Sequence, residues 1–411
     1  MNGLQKAYTR SFQFCIKIAM KIVPIRIPER ITGEGKLAEL PQLIKDKGLK
    51  KPIIVTDSFL SQVAKAADPI KEGLTALGLE YALFDGAVPN PTIECIEEGL
   101  KVYIENGCDS IVALGGGSPM DCAKIIGARA IKPNKTVPKF KGYFKILKKL
   151  PPFFAIPTTA GTGSEATVAA VVSDEKTHTK YPVNDPSLVP NYAILDPALT
   201  IGLPKPMTST TGLDALTHAV EAYVGLEGSK LTNKMAIDAT KLIFANIKTA
   251  YDEGTNIVAR ENMQVASFYA GIAFTRAFVG YVHAIAHRLG AVYHIPHGLA
   301  NAIILPYVLD YFGETAHKKL AELADAVGIT GATVADKANA FIAAIRELNA
   351  YMDIPTVIEF NNRGTIVKLK AEDYDNIIPQ ALKESHPWYP VPKLITYAEM
   401  KEILVKLTPA Q

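Results

Sequence analysis

The segment Asp109-Ser-Ile-Val-Ala-Leu-Gly-Gly-Gly-Ser-Pro-Met-Asp-Cys-Ala-Lys124 leaves this chain few folds to choose from. An apolar run without polar alternation reads as a strand covered on both faces. Three glycines then turn the chain, and Ser118 as cap with Pro119 at the first helical position open a helix. A strand buried on both faces needs helices above and below it, which implies parallel neighbours joined by crossover helices. The same alternation continues on either side. Lys51 to Asp57 is another continuous apolar run ended by polar residues, Phe59 to Leu77 has helical periodicity, Tyr81 to Phe84 reads as a strand, and Thr92 caps a helix from Ile93 to Asn106. A short strand is expected between Ile22 and Ile31, and further strands from Phe153, from Thr167 to Val172 and from Asn191 to Leu195. After Pro204 and Pro206 long helical periods run to the C-terminus. The expectation is a Rossmann-like α/β domain with a mostly parallel sheet over residues 1–205 and an all-helical domain over 206–411, in keeping with two domains for 411 residues.

A net charge of +3 is too small to argue for nucleic acid or a membrane surface, so the expected partner is a small molecule. Cys15, Cys95, Cys108 and Cys122 include no C-x-x-C pair and read as small apolar residues in a reducing compartment. Ser11 to Met20 has the look of a signal core, but Lys17 interrupts it and no small-residue cleavage site follows, so the reading is cytoplasmic. Met263 to Val282 is nearly long enough to cross a bilayer; its small residues and Arg276 make a helix buried on all sides the better account. The basic stretch from Lys132 to Leu150 reads as a solvated excursion.

Glycines after a strand let backbone N–H groups approach an anion, and the helix N-terminus adds partial positive charge. A second strand-to-loop transition, Phe153-Phe-Ala-Ile-Pro-Thr-Thr-Ala-Gly-Thr-Gly-Ser-Glu165, is again rich in glycine and hydroxyls. Two such loops suggest a nucleotide, and Asp57 at the end of an earlier strand is placed for ribose hydroxyls, a role that disfavours a 2′-phosphate.

Four of the eight histidines, His283, His287, His294 and His297, fall within fifteen residues. On a helix His283 and His287 share one face, with Cβ atoms about 5–6 Å apart. Gly290 and Ile295-Pro296 are expected to break that helix and return His297 on a turn. Upstream, Asp214 and His218 are also four apart, inside an apolar run of small residues. A lone histidine on such a face is more often part of the core, but a buried carboxylate is costly unless paired or bound to a cation. Asp214 and His218 with two of the later histidines would offer one oxygen and three nitrogens, donors that suit iron(II) or zinc.

Taken together, Gly115-Gly-Gly-Ser-Pro-Met-Asp121, Pro157-Thr-Thr-Ala-Gly-Thr-Gly-Ser-Glu165, Gly212-Leu-Asp-Ala-Leu-Thr-His-Ala-Val-Glu-Ala-Tyr223 and Val282 to Gly298 resemble the iron-containing (type III) alcohol dehydrogenases in order and spacing, from about residue 22 onward. The resemblance implies catalysis in a cleft between an α/β nucleotide domain and a helical domain. It assigns the metal to Asp214, His218, His283 and His297, with His287 beside it but not binding. It places Asp57, Asn90, Gly116, Gly117, Ser118, Asp121, Thr158, Thr159, Thr162 and Lys180 at the dinucleotide, with Asp57 favouring NAD over NADP. The implied activity is hydride transfer between NAD(H) and a small primary or secondary alcohol or its carbonyl. One divalent ion, iron(II) ahead of zinc, polarises the oxygen, and His287 is the candidate for moving the proton because a histidine pKa lies near working pH, with a structural role beside the metal as the alternative. Two alternatives share the two-domain plan. A glycerol dehydrogenase-type polyol enzyme predicts preference for vicinal diols, and a dehydroquinate synthase-like lyase wants a basic phosphate pocket, for which Arg288 is the one candidate. A homodimer or higher homo-oligomer is expected, Trp388 and Tyr389 are assigned to packing first and to lining the pocket second, and His178, His317 and His386 to structural or surface roles.

Overall fold

The apolar runs pair into a sheet because each has two faces to cover. The structure, a computed structural model, describes residues 3–177, 179–362 and 364–410; His178 lies outside them. The strands in the first half are β1 (Glu29–Thr32), β2 (Pro52–Val55), β3 (Ala82–Phe84), β4 (Ser110–Gly115), β5 (Gly142–Tyr143), β6 (Phe153–Pro157), β7 (Ala169–Asp174), β8 (Thr179–Asn184) and β9 (Tyr192–Leu195). Six of them form one parallel sheet in the order β1-β9-β6-β4-β2-β3. Side chains alternate between its faces. Ile53, Val55, Ile111, Ala113 and Phe153 pack into one core cluster, whereas Ile54, Val112, Leu114, Phe154 and Ile156 pack into another. β8 was not legible as a strand: it carries Lys180 and Pro182, and it pairs antiparallel with β7 in a separate three-stranded sheet, where one face suffices.

The helices are α1 (Gly3–Ile22), α2 (Leu40–Asp46), α3 (Asp68–Ala76), α4 (Ile93–Glu105), α5 (Gly117–Ile131), α6 (Lys205–Val224), α7 (Lys230–Asp252), α8 (Ile257–Ala277), α9 (Tyr281–Tyr293), α10 (His297–Phe312), α11 (Glu314–Ala326), α12 (Val334–Tyr351), α13 (Tyr374–Ser385) and α14 (Tyr397–Leu407). Contacts divide the chain into two compact units. The sheet unit comprises Pro24–Leu203 and Thr255–Gly271; the helical unit comprises Met1–Val23, Pro204–Gly254 and Ile272–Gln411. A single boundary near residue 205 does not describe this division, since two segments cross over. Arg10 of α1 donates to the Val391 and Pro392 carbonyls at 2.8 and 3.0 Å, Gln13 donates to the Tyr389 carbonyl, and Phe12 meets Trp388 edge-on, all within the helical unit. Gln264 of α8 donates to the carbonyls of Pro157 and Asp196, which ties that stretch to the sheet unit.

Local expectations were revised in four places. α8 ends at Ala277 and a new helix starts at Tyr281, so Met263 to Val282 is not one helix. Gly290 does not break α9; His294 ends it instead, in a left-handed conformation with its N–H on the Gly290 carbonyl. His297 opens α10 rather than lying on a turn, because Pro296 immediately before it is set for a helix start. Among the described residues the helical unit has one antiparallel strand pair, β10 (Glu359–Asn362) with β11 (Thr365–Lys368). Among the described residues no single helix is long and apolar enough to cross a membrane.

Candidate metal centre and glycine loops

The sheet order reverses between β2 and β4, whose carboxyl ends therefore flank a crevice of the kind that binds ligands in open α/β sheets. Asp57 follows β2, and its Oδ1 accepts from the Leu60 N–H at 2.9 Å, which orients the carboxylate. After β4 the glycines have separate reasons. At Gly115, φ is +148°, and an added Cβ would lie 2.6 Å from the Pro119 ring. Gly116 is the residue preceding α5, so Ser118 sits inside the first turn rather than capping it. Its Oγ instead accepts from the Asn90 N–H at 3.2 Å.

Because Gly115 pairs with Pro157, the two loops leave adjacent strand ends. Added Cβ atoms on Gly116 and Gly117 would meet Thr159 and Thr162. Thr158 is buried, with its N–H on the Gly115 carbonyl. Both carboxylate oxygens of Asp121 are engaged within the protein, Oδ1 accepting from Ser164 Oγ at 3.0 Å and Oδ2 from the Val171 N–H at 2.9 Å. Lys180 stands on β8, exposed and paired in register with Ser173. Sequence reasoning missed Lys124, which is fully buried beneath the second loop. Its ammonium donates to Ser164 Oγ, Thr167 Oγ1 and the carbonyls of Thr167 and Ala169 at 2.8–3.2 Å. Burial lowers its pKa to about 8 and lifts that of buried Glu165 to about 7.

In the helical unit, α6, α9 and α10 each bring one donor to a common point. A nitrogen of His283, a nitrogen of His297 and a carboxylate oxygen of Asp214 all lie within 4.8 Å of one another. Asp214 and His283 are buried, while His297 is exposed, leaving one side open. His218 is adjacent but outside that three-atom group: its ring stacks on His283 at 4.5 Å and on Phe274 at 4.1 Å between centroids. His287 stacks on His297 at 5.2 Å.

The neighbours of these rings decide what the rings can do. His283 Nδ1 lies 2.6 Å from Glu221 Oε2, and Glu221 Oε1 accepts from the Val282 N–H at 2.8 Å. Burial lifts the Glu221 pKa to about 7; once ionised, that carboxylate can only accept, so His283 then carries its proton on Nδ1 and turns the Nε2 lone pair towards Asp214 and His297. Burial, reinforced by the other histidines, holds the His283 pKa well below the ordinary range, which keeps that lone pair available. A neutral imidazole held by a carboxylate, a second imidazole and a buried carboxylate suit a divalent cation. His287 is held alike: Nδ1 lies 2.6 Å from Glu384 Oε1, and Glu384 also accepts from Arg288 and Tyr389. Burial acts to lower the His287 pKa, but the charge and hydrogen bond of Glu384 outweigh it and the net shift is upward.

Glu221, Asn301 and Glu384 escaped the sequence reading. Glu221 had a signal, lying three residues after His218 on α6 and thus on the same face; Glu384 had none, being about a hundred positions from His287. His386 accepts or donates at 2.7 Å with Tyr281 Oη, and Tyr389 hydrogen-bonds Glu384 rather than serving packing alone.

The family model for iron-containing alcohol dehydrogenase matches residues 28–197, and the model for the C-terminal part of the Fe-containing alcohol dehydrogenase family matches residues 208–408. This chain belongs to the iron-containing alcohol dehydrogenase family: it is an oxidoreductase of the alcohol dehydrogenase and aldehyde reductase kind, working with NAD and a divalent metal. It is 40% identical over 342 residues to the 1,3-propanediol dehydrogenase of Klebsiella pneumoniae, covering 82% of this chain and 87% of that protein. It is 36% identical over 331 residues to the NAD-dependent methanol dehydrogenase of Bacillus methanolicus, covering 80% and 86% respectively. A solved 1,3-propanediol oxidoreductase superposes with a TM-score of 0.87 at 36% identity, covering 94% of this chain and all of that one.

Proposed function

We propose that Asp214, His218, His283 and His297 hold one divalent cation, iron(II) ahead of zinc, and that the chain uses it to interconvert short alcohols or diols and their carbonyls. The observation that carries this reading is the convergence of Asp214, His283 and His297 from three helices within 4.8 Å, with Glu221 fixing the tautomer of His283. A bound divalent cation supplies Lewis acidity towards an alcohol or carbonyl oxygen. Glu221 keeps the His283 lone pair aimed at the cluster. His287, its Nδ1 engaged by Glu384, offers Nε2 to the alcohol proton, and Arg288 and Tyr389 hold Glu384 in place. The exposed flank at His297 supports entry of substrate from that side. Preference for small substrates is supported by the matched relatives, whose names refer to 1,3-propanediol and methanol.

For the dinucleotide, the reading assigns Asp57, Asn90, Gly116, Gly117, Ser118, Asp121, Thr158, Thr159, Thr162 and Lys180. The start of α5 offers backbone N–H groups and partial positive charge to a pyrophosphate. Asp57, oriented through Oδ1, leaves Oδ2 for ribose hydroxyls and repels a 2′-phosphate, which supports NAD over NADP. Asp121 contributes by tying the two loops together. A cytoplasmic, homo-oligomeric enzyme completes the proposal. Four free cysteines support the first point, and apolar side chains exposed along α1 at Leu4, Tyr8, Ile18 and Ile22 support the second.

The test follows NADH absorbance on a panel of short alcohols, diols and aldehydes before and after chelation. Activity should vanish with the metal and return with iron(II) or zinc, and Asp214→Ala should bind neither ion. Full turnover in metal-free protein would end the reading.

A further inference from the structure

We propose that Asn301 is a positioning residue for the metal cluster, the group that gathers its donors from three helices; this rests on the metal reading above. Asn301 lies on α10, one turn after His297, and is completely buried. Its Nδ2 donates to Asp214 Oδ1 at 2.7 Å and lies 3.2 Å from His283 Nε2 and 3.1 Å from His297 Nε2. The same donor atoms that converge on one another thus converge on one amide nitrogen. The orientation of that amide is not a free choice. A carboxylate only accepts, so the edge facing Asp214 is the NH2 edge.

The other half of the amide supports the assignment. Asn301 Oδ1 is buried without a hydrogen-bond partner among the described residues. A position needed only for packing would exchange such a group for an aliphatic side chain, since an unpaired buried acceptor is a cost with no structural return. What the amide does provide is a donor to Asp214 Oδ1, the oxygen that lies 3.9 Å from His283 Nε2 and 3.6 Å from His297 Nε2, so it fixes the carboxylate where the ring nitrogens meet it. It also provides a polar contact that keeps the His283 and His297 nitrogens within reach of that carboxylate. Partners that hold ligands in this way set metal affinity as well as geometry.

The experiment titrates metal-stripped wild type, Asn301→Leu and Asn301→Ala with cobalt(II) and zinc(II) against a competing chelator. The visible cobalt spectrum serves as a readout independent of turnover, and thermal unfolding is followed with and without zinc. The expected result is a dissociation constant raised by about ten- to a hundredfold in both variants, a weaker and shifted cobalt spectrum, and a smaller gain in Tm on adding zinc. Unchanged metal affinity, with Tm lowered equally in the presence and absence of zinc, would make Asn301 a packing residue and overturn the proposal. The alanine variant serves if the leucine fails to fold. Asp214→Ala run alongside separates the two layers: wild type that binds no metal defeats the metal reading itself, whereas loss in Asp214→Ala with full affinity in both Asn301 variants defeats this inference alone.

Discussion

Glu221→Gln changes one atom of the protein and should reverse the proton on a ring it does not otherwise disturb. Glu221 takes the Val282 N–H at 2.8 Å on Oε1 and faces His283 Nδ1 at 2.6 Å with Oε2, and the backbone N–H groups of Gly280 and His283 also turn to its carboxylate. A backbone N–H can only donate, so the new amide must set its oxygen against Val282 and its NH2 against His283. His283 Nδ1 then becomes an acceptor and the ring proton moves to Nε2, the atom that faces Asp214 and His297. To use Nε2 as a metal ligand the ring must return its proton to Nδ1, where two donors would face each other in a fully buried site. Leaving a buried polar group unsatisfied costs about 1–3 kcal/mol. At about 1.4 kcal/mol per factor of ten, metal affinity should fall by roughly ten- to a hundredfold. Chelator-competition titration measures the affinity, and nitrogen NMR of the histidine rings reports the tautomer. A folded variant that binds zinc as tightly as wild type, or keeps the His283 proton on Nδ1, would refute the reasoning.

Glu384→Gln should leave metal content unchanged and lower kcat by about tenfold or more, because His287 loses the carboxylate that orients it; an unaltered kcat on metal-loaded enzyme would show that Glu384 does not serve the ring. Gly163→Ala should lower Tm and distort the second loop: Gly163 has φ +60°, and an added Cβ would lie 2.8 Å from Gly271 Cα and the Ser267 carbonyl, backbone atoms that cannot swing aside. Calorimetry showing wild-type Tm would contradict this. Glu165, held at about 7 by burial against an ordinary 4.5, contributes stability that is present below pH 4.5 and lost as pH rises through 7. Glu165→Gln should therefore gain on wild type between pH 5 and pH 8, by up to about 3 kcal/mol, read as a pH-dependent difference in Tm; a difference constant across that range would mean the carboxyl does not titrate there.

The sheet unit and the pairs of residues proposed as metal donors stood out in the sequence for the same reason: their signals are local. Ile53-Ile-Val55 and Ile111-Val-Ala-Leu114 have no polar side to turn to water, so they dictate a sheet covered on both faces. Asp214 with His218, and His283 with His287, share helix faces by spacing alone. Local pattern could not decide which helix ends where. Gly290 reads as a breaker, yet the chain could place His294 in a left-handed conformation, and the helix continued through the glycine. Nor could it assign α1 and the stretch 255–271 to their units, since those depend on carbonyls hundreds of positions away at Val391 or about a hundred away at Pro157. The residues that make the donors usable belong to this second class. Glu221 on His283, Asn301 on Asp214 and Glu384 on His287 are hydrogen bonds across 62, 87 and 97 positions. A spacing rule reaches only one or two helical turns, whereas a proton's place on an imidazole is set by whatever folding brings against it.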